Sequence, residues 1–150
     1  MNTQRHLGAA VLAATLAFAG CSMMPASMGG SAMSGSMSSN MAASQEVPAN
    51  SSAGSGSVAT MLDRSTRTLT YTVTYSGLTG PVTAGHFHGP AASGANAGVV
   101  LPFTSTASPI QGKAVLTEAQ MADFVAGKWY ANLHTAAHPG GEIRGQVAAR

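Results

Sequence analysis

The stretch that decides the fold is TRTLTYTVTY, residues 66–75. Leu69, Tyr71, Val73 and Tyr75 alternate with Thr68, Thr70, Thr72 and Thr74. That is the period of a half-buried strand, built from residue types that favour pleated structure. Before it, GSVATMLD (56–63) reads as a partner strand, with RSTR as the turn between. After it, SGLTGP is a turn cluster that leads into VTAGHFH (82–88). GVVLPF (98–103) and GKAVLT (112–117) read as short strands, and KWYANLHT (128–135) with GEIRGQVA (141–148) as a final hairpin around AAHPGG. One short helix interrupts the series at about 117–126. Thr117 and Gln120 form a capping-box pattern, and an apolar stripe of Ala119, Met121, Ala122, Phe124 and Val125 ends at Gly127. Short strands between Gly/Pro turns predict an all-β domain, an antiparallel β-sandwich or small Greek-key barrel.

The 150 residues suffice for one domain. Net charge is +2 and no run of like charge occurs, which argues against nucleic acid as a partner, since that needs a clustered basic face. A single cysteine allows no internal disulfide, so the core must hold the domain together. Residues 1–20 have the form of a signal peptide: Arg5 and His6, then about 12 apolar residues from Leu7 to Phe18, too short to span a bilayer. FAGC, ending at Cys21, resembles the lipobox of bacterial lipoproteins, although Phe18 stands where Leu is usual. The resemblance implies cleavage before Cys21 and a lipid on its sulfur; the alternative is an ordinary secretory signal. Both place the mature protein outside the cytoplasm. A lipid anchor would make the membrane a partner, and Ser22 favours the outer membrane and periplasm over the cytoplasmic membrane.

Residues 21–44 lack charge and any helix or strand period, and read as a flexible Met/Ser/Gly-rich tether to a domain at 45–150. Met23, Met24, Met28, Met33, Met37 and Met41 lie in it. Their thioethers form a loose candidate ligand set for Cu(I), a soft ion; compositional drift would also produce them.

The segment GHFHGP (85–90) sets two of five histidines one residue apart. Residues i and i+2 of a strand share a face about 6.6–6.8 Å apart. With Phe87 turned inward, His86 and His88 project outward together. By the same alternation Trp129, Ala131 and Leu133 face the core and Tyr130, Asn132 and His134 the outside. In the last strand Ile143, Gly145 and Val147 face inward and Glu142, Arg144 and Gln146 outward. If the HFH strand neighbours the final hairpin, His86, His88, His134 and His138, the last in the hairpin turn, converge as metal ligands. Imidazole suits copper, zinc, iron and nickel, and the methionines favour copper over zinc. Loop 89–98 would cover the site, and Asn132, Glu142 and Arg144 would support it, Glu142 by accepting from a histidine ring. Otherwise the histidines are polar surface groups, Glu142 binds a turn amide, and Arg144 pairs across the hairpin to fix its register. No catalytic nucleophile–base pair and no phosphate-binding glycine loop stands out.

AGHFHGPA, WYANLHTAAHPGGEIRGQV and the opening SQEVPANSSAGSGSVATMLDRSTRTLTYTVTYSGLTG together resemble the CHRD domain, first described in chordin, over about residues 43–148. His86, His88, Asn132, His134, Gly141, Glu142, Arg144 and Gly145 fall in its signature, and His138 at a variable position. The resemblance implies an all-β extracytoplasmic module but no defined chemistry. A fainter likeness is to copper–zinc superoxide dismutases, which also carry an H-x-H on a strand; their disulfide and His/Asp-rich zinc loop are missing here, and the analogy reaches the fold alone. Three functions follow as expectations. The first is a lipid-anchored carrier that sequesters or delivers copper, partnered by the ion or a metal-handling protein. The second is an adhesion or surface-structural module without metal. The third is a dismutase-like redox enzyme.

Overall fold

The structure is a computed structural model, described here for Met1 and residues 35–147. Eight strands follow one another: β1 (Gly35–Ala42), β2 (Ser55–Asp63), β3 (Thr68–Ser76), β4 (Val82–His88), β5 (Val99–Pro102), β6 (Ile110–Val115), β7 (Trp129–Thr135) and β8 (Ile143–Val147). A short 3-10 turn, Ala43–Gln45, follows β1, and one helix, α1 (Glu118–Val125), precedes β7. All strand pairs are antiparallel. They make one sheet in the order β5-β4-β7-β8-β1-β2-β3-β6. The expected all-β antiparallel fold is therefore present. A single curled sheet encloses the interior, in place of two facing sheets.

The TRTLTYTVTY alternation is realised in β3. Leu69, Tyr71 and Val73 are buried, and the intervening threonines line the outside. The β2–β3 turn is set by Asp63, whose Oδ1 accepts from the Ser65 amide at 2.9 Å and the Ser65 hydroxyl at 2.6 Å. Such side-chain-to-backbone bonds are why Asp initiates turns. Curling follows from the aromatics. Tyr71 of β3 meets Phe87 of β4 with ring centroids 5.2 Å apart, although four strands separate them in the sheet. Edge-to-face contacts continue from Phe87 to Phe103 and from Trp129 to Phe124 of α1. Each large side chain so buried is worth roughly 1.5–3 kcal/mol of transfer free energy. The helix begins at the anticipated capping box, with Thr117 and Gln120 each bonding the other's backbone amide. It carries Phe124 into the core.

The folded domain begins earlier than residue 45, within the segment expected to be a tether. Gly35–Ala42 is strand β1, paired along its length with β2. Met37 (8% exposed) and Met41 (1%) belong to the core and are not free thioethers. The strand is hard to see in the sequence because Ser36, Ser38 and Asn40 face outward and its inward face, Met37, Ser39 and Met41, lies in a segment that otherwise looks like linker. The signal peptide, Cys21, Met23, Met24, Met28 and Met33 lie outside the described residues.

Candidate metal centre

The register of β4 against β7 builds the site. His86 stands opposite Asn132, His88 opposite Tyr130 and Ala84 opposite His134. The His86–Asn132 pair is thus flanked on the same outer face by His88 and His134, within the reach of diagonal cross-strand neighbours. Phe87 between the two histidines is fully buried, which forces both imidazoles outward. The result is a trio, His86, His88 and His134, with one ligand nitrogen from each within 4.8 Å of the others.

His86 Nδ1 lies 3.2 Å from His134 Nε2. Asn132 Oδ1 lies 3.0 Å from His88 Nε2 and 3.0 Å from His134 Nε2. The far nitrogens of two rings are held by main-chain carbonyls: His88 Nδ1 by Ala97 at 3.0 Å and His134 Nδ1 by Pro139 at 2.9 Å. A carbonyl oxygen only accepts, so both Nδ1 atoms carry the proton. In the neutral rings both Nε2 atoms are then lone pairs, and they face each other's neighbourhood and Asn132 Oδ1, an acceptor. The remedies are extra protons, a cation, or donors from the neighbours: a proton on His86 Nδ1 given to His134 Nε2, or the Asn132 amide turned round. Burial lowers the pKa of His86, with the neighbouring His134 and His88 adding to the effect. Burial also lowers that of His134, against a raising bond to Pro139. Protons are therefore disfavoured where a cation would satisfy every lone pair.

Loop 89–98 covers this face, as anticipated. Besides Ala97 on His88, Asn96 donates to Val47 at 2.9 Å, and the Ala97 amide donates to the Tyr130 hydroxyl at 3.2 Å. Arg144, 1% exposed, donates to Asn96 Oδ1 at 3.1 Å and to the Ala95 carbonyl at 2.8 Å. Its guanidinium carbon sits 3.4 Å from the centre of the Tyr130 ring. Tyr130 in turn stacks parallel on His88 at 4.8 Å. Since β7 lies between β4 and β8, Tyr130 is clamped between the His88 imidazole and the Arg144 guanidinium. Arg144 thus fastens the loop across the site, and through the Tyr130 ring on β7 it also pairs across the hairpin, as one reading expected.

Two expected residues stand elsewhere. Glu142, 0% exposed, touches no histidine. Its carboxylate accepts from Ser52 (2.6 Å), from the Thr79 amide (2.7 Å) and hydroxyl (2.8 Å), and from Thr135 (2.5 Å). Burial alone would raise its pKa; the donors from Ser52, Thr135 and Thr79 overcome that and hold it at about 2. It accepts a turn amide, the structural role weighed for it. His138 is not in the trio. It sits beyond the end of β7, where strand alternation no longer directs side chains to the β4–β7 face; its backbone amide bonds back to Thr135. The turn reaches the site through the Pro139 carbonyl instead.

The sequence reading did not single out Tyr130, Glu46 or Asn96. Tyr130 was legible by alternation with Asn132 and His134. Glu46 is buried just after the 3-10 turn, facing Asn132 and packed against Gly141. A Cβ at Gly141 would fall 2.4 Å from Glu46 Oε1, and φ is +132° there, so glycine is required on both counts.

An eight-stranded antiparallel sheet with a histidine trio on its outer face defines the class of molecule. The family model of the CHRD domain matches residues 37–147, and the chain belongs to that family. No curated protein and no solved structure matches it.

Proposed function

We propose that this CHRD domain binds copper through His86, His88 and His134, and that it serves in the cell envelope as a lipid-anchored carrier that sequesters or delivers the ion. The observation that supports the metal is the pair of Nδ1–carbonyl bonds, which aims unprotonated nitrogens at a shared point. Orienting carbonyls of this kind accompany metal-bound histidines. Ligand atoms about 2.0–2.1 Å from one ion at roughly 90–109° are about 2.9–3.3 Å apart. The 3.2 Å between His86 and His134 already fits; the widest nitrogen separation, up to 4.8 Å, has to contract on binding. Copper is favoured over zinc because a given nitrogen and oxygen donor set binds Cu(II) more tightly than Zn(II). With Met37 and Met41 in the core, a Cu(I)-holding role rests on Met23, Met24, Met28 and Met33.

Attachment through Cys21 and residence at the outer membrane rest on the FAGC and Ser22 pattern. The adhesion alternative would be favoured by an apolar patch away from the histidines. Among the described residues after Met1, the exposed large apolar side chains are Met61 on β2, Val99 on β5 and Val115 on β6, three strands of which no two are neighbours. The test is the metal content of the protein purified from its native envelope. The expectation is about one copper per chain, lost in His88→Ala; protein free of transition metal in both forms contradicts it.

A further inference from the structure

We infer that Asn132 is a fourth ligand, through Oδ1, and that Glu46 orients it, so that the site prefers Cu(II) over Cu(I). This rests on the reading of the trio as a copper site and goes beyond it by assigning the oxidation state.

The geometry comes from one atom. Asn132 Oδ1 is 3.0 Å from each of two ligand nitrogens, a separation that suits neighbouring ligands on one ion. An amide turned the other way would offer its NH2 to the two imidazole lone pairs and satisfy them without metal. Glu46 opposes that arrangement. Its carboxylate lies near the amide nitrogen: the point where Gly141 would carry a Cβ is 2.4 Å from Glu46 Oε1 and 2.9 Å from Asn132 Nδ2. Turning the amide would set its oxygen against a carboxylate. Glu46 Oε1 is buried and has no hydrogen-bond partner among the described residues. A buried carboxylate left short of donors is costly unless positive charge lies near. Burial disfavours the charged carboxylate and pushes its pKa up, while Arg144, the Val47 amide and the Asn132 amide oppose that; an ion beside Asn132 would oppose it further.

The donor set then reads as three imidazole nitrogens and one amide oxygen. Carbonyl oxygen is a hard donor and favours the doubly charged ion; Cu(I) favours thioether and thiolate. The core positions of Met37 and Met41 keep their sulfurs on the opposite side of the sheet from the trio. A buried negative charge also attracts Cu(II) more strongly than Cu(I). Asn132 is thus a ligand and Glu46 a positioning residue.

The test measures Cu(II) affinity by chelator competition and Cu(I) affinity by bicinchoninate competition on the full-length mature protein. It compares the unmodified chain with Asn132→Leu, Asn132→Asp and Glu46→Gln, and records electron paramagnetic resonance of each Cu(II) form. Asn132→Leu is expected to weaken Cu(II) at least tenfold, Cu(I) less than threefold, and to shift the spectrum. Asn132→Asp, which keeps an oxygen donor, should retain Cu(II). Glu46→Gln is expected to weaken Cu(II) at least threefold with Cu(I) unchanged, and it decides the matter if Asn132→Leu does not fold. Equal losses for both ions, or an unmoved spectrum and affinity, overturn the inference while leaving the histidine site intact. An unmodified protein that binds neither ion overturns both readings.

Discussion

The β2–β3 hairpin and the β4–β7–β8 segment belong to one sheet and obey the same alternation, yet their outer faces differ. Outside β3 stand Thr68, Thr70, Thr72 and Thr74, open to solvent or nearly so, with Ser57 and Thr74 sharing a hydroxyl bond at 2.9 Å. Outside β4, β7 and β8 stand His88, Tyr130, Asn132 and Arg144, all buried, with loop 89–98 bonded to His88, Tyr130 and Arg144, and with His86 and His134 half-buried beside them. A polar outer face needs no cover for stability, since water satisfies it. Burying imidazoles, an amide and a guanidinium costs free energy unless every donor and acceptor is matched. In the second region the neutral His88 Nε2 faces an acceptor, Asn132 Oδ1, and Glu46 Oε1 and Gln146 Oε1 have no partner. Those around Asn132 lie together, and that is where the function is placed; Gln146 Oε1 on β8 and Thr60 Oγ1 on the inner face of β2 are unpartnered elsewhere.

Substitutions on the two faces should separate them. The largest effect is expected from His88→Ala, which removes a ligand and the anchor of Ala97: copper affinity should fall at least a thousandfold, about 4 kcal/mol by titration. Next is Glu142→Gln. Glu142 ties the segments before β2 and β4 to the end of β7 through Ser52, Thr79 and Thr135. A carboxyl depressed from 4.5 to about 2 contributes stability that is present above pH 4.5 and lost as pH falls from there through 2. That contribution is on the order of 3 kcal/mol near neutrality. Denaturant melts should show Glu142→Gln less stable by about that much at pH 7 and the gap closing toward pH 2; a gap independent of pH would contradict the assignment. Arg144→Lys keeps the charge but not the planar fork that reaches both Asn96 and Ala95. It should cost about 1–3 kcal/mol and speed hydrogen exchange at the Ala97 amide, without unfolding the sheet. The smallest effect belongs to the open face: Thr70→Ala should change stability by less than about 0.5 kcal/mol and metal affinity not at all. A large change there would erase the contrast between the regions.

How far the sequence announced this arrangement depended on the kind of signal. Alternation is local, so TRTLTYTVTY, VTAGHFH and WYANLHT declared which residues face the core, and Thr117 with Gln120 declared the helix start. The convergence of His86 and His88 with His134 needed one long-range fact, that β4 lies beside β7. Strand β1 was hidden because its methionines sit in a serine-rich run. Glu142 misled because a glycine-rich turn precedes β8 and sends its side chain toward Thr135 instead of along the face of Arg144. Glu46 was invisible for a different reason: its partner Asn132 is 86 positions away, and nothing in SQEVPAN says that the carboxylate turns inward.

The central claim is that the β4–β7 face is a metal centre, and Cu(II) titration of the purified mature protein, followed by calorimetry and electron paramagnetic resonance, tests it most directly. One ion per chain, bound tighter than micromolar and showing nitrogen hyperfine structure from imidazole ligands, is the predicted result. Binding no tighter than micromolar, or a signal unchanged when His86, His88 and His134 are replaced together, would contradict it.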